Sequence, residues 1–520
     1  MKAHIEYWIL ALVLAIGASL TLKGPARLRA RQVLLALVSV FVGTYLVILL
    51  GSESRLSRAR ANIDQAELPL RLEAAVSCGQ KHMFSEIASL SQGSTGDRKP
   101  EVTLPSAKSS SLDSAKHILE TAADGGGGDL INARLAIVLG TIGTQKDRAR
   151  LATLLEQLSL SKISREQEIG SVLKYIYLGE QFGNGRLSRN ADILKRDMPA
   201  GWYRDTALCA LYKLEGDSAD YRKLLEDLDG KYWRLFVRMG YVLAVALFSC
   251  LVGVIVILVQ LALAPRRKAP VEGVEKTGIN VPWKSVYVVF VSWFATELVV
   301  GYLLHELMPK IPGSSSEPFI VALITAVSYL LTNVPGLFYI WFFALKPAGL
   351  PFWQTLKSRW QTSSASPIKL LFAGYFGWCA LFPMVVTAGF IATHFFHSQG
   401  SDNPVIAQIV QAAGASNIFA TLLFYVTLGV CAPFCEEILF RGFIYQSIKQ
   451  RSSVQVAVVA SALLFALMHF DRGGILPLFT IGLVLALIFE RTRSLVPSMV
   501  AHGLWNSGTF TFALVLFGTQ

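Results

Sequence analysis

Eight apolar runs crowd the chain between residues 239 and 517, at approximately 239–264, 286–307, 319–345, 370–395, 418–445, 453–470, 475–489 and 497–517. Two more lie near the start, at 5–22 and 33–50. A helix needs about 20 apolar residues to cross the hydrocarbon of a bilayer. Hydrocarbon satisfies no backbone polar group, so each run is read as a helix that closes its own hydrogen bonds. The expected fold class is all-α: a polytopic membrane helical bundle of about ten spans. With 53% hydrophobic and 16% charged residues, the chain is too apolar for an ordinary soluble protein.

The pattern breaks between 51 and 234, a polar stretch with no candidate span. Leu151, Leu154, Leu155 and Leu158 recur at the spacing of one helical face, as do Tyr221, Leu224, Leu225 and Leu228. The expectation is an inserted soluble all-helical domain, helical-repeat-like although no fixed period is present. The expected organisation is a transmembrane hairpin at 1–50, this domain at 51–234, a third span with a cytoplasmic linker at 235–284, and a membrane domain at 285–520. No small-residue cleavage site follows 5–22, which therefore reads as an anchor. The segment 91–111, rich in Ser, Pro, Lys and Gly, reads as a linker, and Gly125 to Gly128 as a joint. That tetraglycine lacks the Lys-Ser/Thr partner and preceding strand of a phosphate loop. Cys250, Cys379, Cys431 and Cys435 lie in apolar runs and read as packing residues, while a disulfide is open between Cys78 and Cys209. The six cysteines form no CxxC pair and no ligand-spaced cluster. Nothing in 51–234 points to catalysis, and its expected role is contact with a protein partner.

The formal net charge of +12 is explained by cytoplasmic loops. One alternating set of connections (23–32, 265–285, 346–369, 446–452 and 490–494) carries 17 Lys and Arg; the opposite set carries Lys2, Lys310 and Arg472. The first set is expected in the cytoplasm, which places 51–234 on the far side of a bacterial inner (plasma) membrane. No groove-reading or RNA-binding motif accompanies the charge, so nucleic acid is not an expected partner. The expected surroundings are the lipid bilayer.

Inside the run 418–445 stands Phe434-Cys-Glu-Glu-Ile-Leu-Phe-Arg441. A charged side chain at the bilayer centre costs at least about 2.5–3.5 kcal/mol, so such groups face a bundle interior or a wet cavity and are functional candidates. Glu437 precedes Arg441 by one helical turn, the favourable order for an ion pair. Glu436 points about 100° away and lacks that partner. His469 closes a later run, and His502 and Asn506 share one helical face four residues apart. Glu297, His305, Glu306, His394 and His397 are further polar residues in or at the ends of spans; Glu297 is the central one. Pro335, Pro383 and Pro433 are expected to kink their helices.

At these residues the chain resembles the CPBP family of intramembrane proteases, the group that contains the type II CAAX prenyl endopeptidases. The family's Glu-Glu-x-x-x-Arg motif stands as Glu436 to Arg441, its Phe-x-x-x-His motif as Phe465 to His469, and its His-x-x-x-Asn motif as His502 to Asn506. The three occur in order, each within an apolar run. Arg493 sits in the connection before the third motif, where relatives often have glycine. The resemblance is firm over about 418–510 and does not cover the first three spans or 51–234. It implies an intramembrane glutamic-type endopeptidase acting on a peptide or membrane-protein substrate. Glu436 with His469 would activate a water, His502 and Asn506 would stabilise the oxyanion, and Glu437 and Arg441 would support the helix. No cofactor is expected. Zinc on Glu436, His469 and His502 is disfavoured because no His-Glu-x-x-His motif is present and three helices would have to supply the ligands. The alternative is a non-proteolytic membrane scaffold or immunity-type protein of the same fold. A proton-coupled transporter is a third reading, without the internal repeat it calls for.

Overall fold

The computed structural model describes residues 55–92, 109–124, 130–161, 163–179, 187–216, 218–263, 281–307, 317–355, 365–396, 398, 417–469, 471 and 473–517. The expected hairpin of 1–50, most of the 91–111 linker and Gly125 to Gly128 lie outside them. Among the described residues every regular element is helical. Two compact units are present, Ser54–Ala244 and a second one from Val245 to Gly518.

The first unit is built from α1 (Arg55–Gln92), α2 (Ser109–Asp124), α3 (Ile131–Ile142), α4 (Gln145–Ser159), α5 (Ser164–Leu178), α6 (Leu187–Asp197), α7 (Trp202–Glu215) and the N-terminal part of α8 (Ser218–Leu263). Each of α1 to α6 packs on the next in sequence, and α7 also turns back onto α1, α3 and α5. The helix α3 is the axis of this packing: Ala133 and every residue from Leu135 to Leu139 are buried. Leu151, Leu154, Leu155 and Leu158 bury one face of α4, as their spacing predicts. The α3–α4 joint is set by local chemistry. Gly143 adopts φ 69°, a left-handed conformation that costs glycine least, and returns its N–H to the Leu139 carbonyl at 3.0 Å. Thr144 then caps α4, its hydroxyl accepting the Asp147 N–H at 3.2 Å while donating to the Asp147 carboxylate. Lys116 of α2 donates to the same carboxylate. Cys78 and Cys209 are separate buried free thiols, so the disulfide left open by the sequence is absent.

In α8 the character changes without a break in the helix. Leu243, Leu247, Phe248, Leu251, Ile255 and Leu258 are exposed large hydrophobics, as expected of a lipid-facing surface. The second unit continues with α9 (Trp283–Leu307), α10 (Pro318–Tyr339, extended by a π-helical turn Ile340–Leu345), α11 (Pro367–Phe396), α12 (Ile418–Lys449), α13 (Val454–Leu467), α14 (Ile475–Thr492) and α15 (Leu495–Phe517). These helices cover the expected runs. Six, including α8, are long and apolar enough to cross a membrane, and α13 is a shorter apolar helix. An integral membrane protein follows from this set.

Small residues let these helices approach closely, the usual means of packing where lipid removes the hydrophobic drive between helices. A Cβ on Gly482 of α14 would lie 2.9 Å from the Cα of Ala462 in α13. The core between them is aromatic: Trp293, Phe440, Phe443, Tyr445, Phe465 and Phe489 are all buried. Between α14 and α15, Arg493 has φ 53° and returns its N–H to the Phe489 carbonyl at 2.8 Å. A left-handed C-cap is where glycine is preferred, which explains why arginine at this position departs from the expected pattern.

Candidate active site

The helix α12 is irregular where its polar residues sit. Ile418–Val426 is α-helical, Thr427–Cys431 forms a π turn, Ala432–Glu437 returns to α, and Ile438–Tyr445 is π again. The first irregularity has a local cause. Ala432 donates its N–H to the Thr427 carbonyl five residues back. In that register the next donor, for the Leu428 carbonyl, would be Pro433, which has no N–H. Leu428 is satisfied instead by the Asn506 side chain of α15, whose Nδ2 donates to it at 3.0 Å. Pro433 thus leaves a backbone carbonyl free ahead of the glutamates, and Asn506 answers it. Its amide has two hydrogens, and this bond uses one.

Glu436 and Glu437 fall on the α-helical turn and diverge, as their adjacency requires. Glu437 is fully buried: its Oε1 accepts from Arg441 Nη1 at 2.8 Å and from His502 Nδ1 at 3.0 Å. Arg441, also fully buried, sends Nη2 to the Gly482 carbonyl at 3.1 Å and lies over the Phe465 ring, 4.7 Å from its centroid. The ion pair expected from the sequence is formed, and it recruits His502. Because a carboxylate oxygen only accepts, Nδ1 carries the hydrogen and the ring presents Nε2 on its other side.

Glu436 is the other carboxylate that His502 meets: Nε2 lies 3.8 Å from Glu436 Oε2. Glu436 Oε1 accepts the Tyr329 hydroxyl of α10 at 3.0 Å, and Tyr329 also reaches the Ala432 carbonyl at 3.4 Å. Oε2 is shielded from solvent and has no hydrogen-bond partner. The four groups Glu436, Glu437, Arg441 and His502 are therefore one cluster, with Asn506 one turn beyond His502.

His469 stands at the end of α13. Its Nδ1 bonds the Phe465 carbonyl at 2.7 Å, and its ring packs on Phe465, centroids 4.6 Å apart. His502 packs on the same Phe465 ring at 5.7 Å. The two imidazoles thus flank one aromatic side chain. Among the described residues no hydrogen bond or ion pair joins His469 to Glu436; the imidazole beside Glu436 is that of His502.

The motifs did not indicate Tyr329, which sits in an otherwise apolar run. A signal was present in Tyr329-x-x-Thr332-Asn333, a polar group in the middle of a predicted span. Thr332 Oγ1 and Asn333 Nδ2 both donate to the Tyr329 carbonyl, at 3.1 and 3.2 Å. His394 is exposed and bonds its own Phe390 carbonyl.

Residues 418–508 match the family described as type II CAAX prenyl endopeptidase Rce1-like. Among similar proteins, the "UPF0177 protein in abiGi 5'region" of Lactococcus lactis subsp. cremoris is 31% identical over 132 residues, 24% of this chain and 55% of that protein. The "UPF0177 protein YaiH" of Lactococcus lactis subsp. lactis is 34% identical over 98 residues, 19% of this chain and 40% of that protein. The "Putative membrane peptidase YdiL" of Bacillus subtilis is 24% identical over 165 residues, 31% of this chain and 62% of that protein. The chain thus spans between 40% and 62% of the length of these curated relatives. No solved structure matches it.

Proposed function

We propose that this chain, which belongs through residues 418–508 to the CPBP/CAAX protease family, is an intramembrane endopeptidase in which Glu436 activates a water for peptide-bond hydrolysis. One observation carries the reading. Glu436 Oε2 is shielded and unpartnered 3.8 Å from His502 Nε2, while the adjacent carboxylate is engaged by Arg441 and His502. Buried polar groups are nearly always satisfied, and an intramembrane acid without a partner is expensive. Glu437 Oε2 is likewise shielded and without a hydrogen-bond partner, but Arg441 neutralises that carboxylate through Oε1; Glu436 has no arginine partner, and a free lone pair beside an imidazole is what a general base needs.

In this reading a water within hydrogen-bond reach of Oε2 gives its proton to Glu436 as its oxygen bonds to the substrate carbonyl carbon. The carbonyl electrons move to oxygen. The resulting oxyanion takes hydrogen bonds from the second hydrogen of Asn506 Nδ2 and from Nε2–H of His502, which in this role is the imidazolium, its Nδ1–H remaining on Glu437. As the C–N bond breaks, Glu436 returns the proton to the leaving nitrogen. His469, whose Nδ1 bonds the Phe465 carbonyl, is assigned in this reading as the second group that activates the water. Glu437 touches no reacting atom; it holds the His502 ring, as the carboxylate of a triad does. A general base is commonly worth about 10²–10⁴ in rate, and one oxyanion donor about 10²–10³.

The substrate class is a peptide or membrane-tethered protein, and nothing in the site requires it to be prenylated. The Lys and Arg distribution supports a position of the first unit on the non-cytoplasmic side of a bacterial inner membrane, and the role proposed for it there is to recruit or recognise a protein partner. The test compares membrane proteomes of a deletion strain complemented with wild type or Glu436→Gln. It is followed by cleavage of the accumulated protein by the purified enzyme in liposomes. Substrate accumulation in both the deletion and the Glu436→Gln strain, with cleavage reduced at least about 10²-fold in vitro, supports the reading. Cleavage by Glu436→Gln at the wild-type rate removes Glu436 as the base.

A further inference from the structure

Outside the membrane cluster, the first unit brings together three side chains of metal-binding type from its two ends. Cys78 and His82 stand four apart on α1 and therefore share a face. Asp229 comes from α8. His82 Nε2 lies 2.8 Å from Asp229 Oδ2. Cys78 Sγ lies 3.3 Å from Asp229 Oδ1 and 3.5 Å from the Asp229 carbonyl. One ligand atom from each of the three falls within 4.8 Å of the other two. The sequence shows no CxxC and no run of ligands at usual spacing; the signal is the single Cys-x-x-x-His of α1 together with an acid 151 positions beyond Cys78.

We propose that Cys78, His82 and Asp229 bind a divalent transition-metal ion, with zinc as the resident metal. The donor set decides the class. A thiolate and an imidazole select borderline and soft cations, and magnesium or calcium would require oxygen donors throughout. One sulfur, one nitrogen and one carboxylate oxygen leave a fourth tetrahedral position for solvent. Cys78 is buried, while the side chains of His82 and Asp229 are 27% and 24% exposed, so solvent and an ion can reach the cluster from the His82 and Asp229 side. On binding, the Cys78 S–H bond breaks and its proton goes to solvent as the sulfur–metal bond forms. His82 keeps its hydrogen on Nδ1 and gives the Nε2 lone pair, and Asp229 enters as its carboxylate. Thiolate and carboxylate then balance the 2+ ion.

The surroundings hold the ligands in place. The Trp233 ring, one turn past Asp229, lies on the His82 ring with centroids 4.6 Å apart. Phe236 stacks on Trp233 in turn, and a Cβ at Gly79, beside Cys78, would lie 2.5 Å from Phe236 atoms. The ion closes the first helix of the unit onto its last, across a loop long enough for the constraint to matter. This site is separate from the Glu436 cluster, and its failure would leave the proteolytic reading untouched.

The full-length protein, purified in detergent and stripped with a chelator, is titrated with Co²⁺ alone and then with Zn²⁺. One equivalent of Co²⁺ is expected to give tetrahedral visible bands and a near-ultraviolet thiolate-to-cobalt band, both removed by Zn²⁺. Cys78→Ser should lose the thiolate band, and His82→Ala and Asp229→Asn should each weaken Co²⁺ affinity at least tenfold. The stripped wild type and stripped Cys78→Ser should melt alike, which separates ligand loss from misfolding. Absence of a thiolate band in the wild type, or a band that survives Cys78→Ser, overturns the proposal.

Discussion

Replacing Arg441 by alanine tests whether the second unit is held by its buried charges. The guanidinium bonds Glu437 at 2.8 Å and the Gly482 carbonyl at 3.1 Å and lies over Phe465, and both members of the pair are fully buried. Removing one member of such a pair strands the other, which costs about 3–5 kcal/mol. At 2–4 °C per kcal/mol for a unit of this size, the melting temperature in detergent should fall by roughly 6–20 °C. Arg441→Lys keeps the charge but not the two-pronged reach, and should fall between alanine and wild type. Glu437→Leu combined with Arg441→Met removes both charges and should recover part of the loss, because apolar replacement of a whole buried pair is often neutral. That double variant should stay inactive, since His502 Nδ1 then has no acceptor. The assay is thermal unfolding followed by tryptophan fluorescence, run beside peptide cleavage. An Arg441→Ala melt within about 3 °C of wild type, roughly 1 kcal/mol, would refute the assignment of the pair as the structural one.

Tyr329→Phe removes the hydroxyl on Glu436 Oε1, a hydrogen bond to a charged group worth about 1.5–3 kcal/mol. It should lower kcat by roughly 10–150-fold with little change in KM, and wild-type kcat would show that the hydroxyl is a bystander. Arg493→Gly relieves a left-handed arginine at a cost of roughly 1–2 kcal/mol, and gives up an Arg493–Glu490 pair at 2.8 Å. The melt should rise by up to a few degrees, and a fall would show that the pair outweighs the backbone. In the first unit, the hydrogen bonds from Lys116 and then Thr144 hold Asp147 below its ordinary value of 3.8. A depressed carboxyl contributes stability above that value and loses it as pH falls through the folded pKa. The advantage of wild type over Asp147→Asn should therefore be full at pH 7 and shrink as the pH falls below 3.8 towards the depressed folded value, in pH-resolved melts.

The runs of apolar residues made the helices legible because lipid forces each span to satisfy its own backbone, and the Glu437–Arg441 pair was legible because it is local to one helix. What lay across helices was legible only in outline. The resemblance grouped Glu436, His469, His502 and Asn506 and gave His469 a share in activating the water; the direct imidazole contact to Glu436 is that of His502, at 3.8 Å. The reason is that His502 bridges both glutamates through opposite ring nitrogens, a relation that no spacing along α15 encodes. Tyr329 was hidden because a tyrosine in an apolar run reads as packing until its hydroxyl meets a carboxylate from another helix. The role of Asn506 as donor to Leu428 depends on a π register in α12 that the sequence shows only as Pro433. In the first unit, the Cys78, His82 and Asp229 grouping depends on α8 returning to α1, a closure that local periodicity does not contain.

That closure changes how metal dependence of hydrolysis has to be tested. The donors at Glu436, His469 and His502 come from three helices, and His502 Nδ1 is already committed to Glu437. A chelator that stops cleavage would ordinarily be taken as support for zinc on these residues. If the Cys78 cluster holds an ion, and if the partner proposed for the first unit is the full-length substrate, the same loss follows from loosening that unit. The two causes separate by substrate and by variant. Metal-free hydrolysis predicts that chelation leaves kcat for a short peptide within about twofold of the untreated enzyme. It also predicts that cleavage of the full-length substrate falls to the level of Cys78→Ser, with no further effect of the chelator on that variant. Catalytic zinc predicts loss on both substrates, in wild type and Cys78→Ser alike. Loss of short-peptide cleavage on chelation of Cys78→Ser would overturn the assignment of a metal-free base to Glu436.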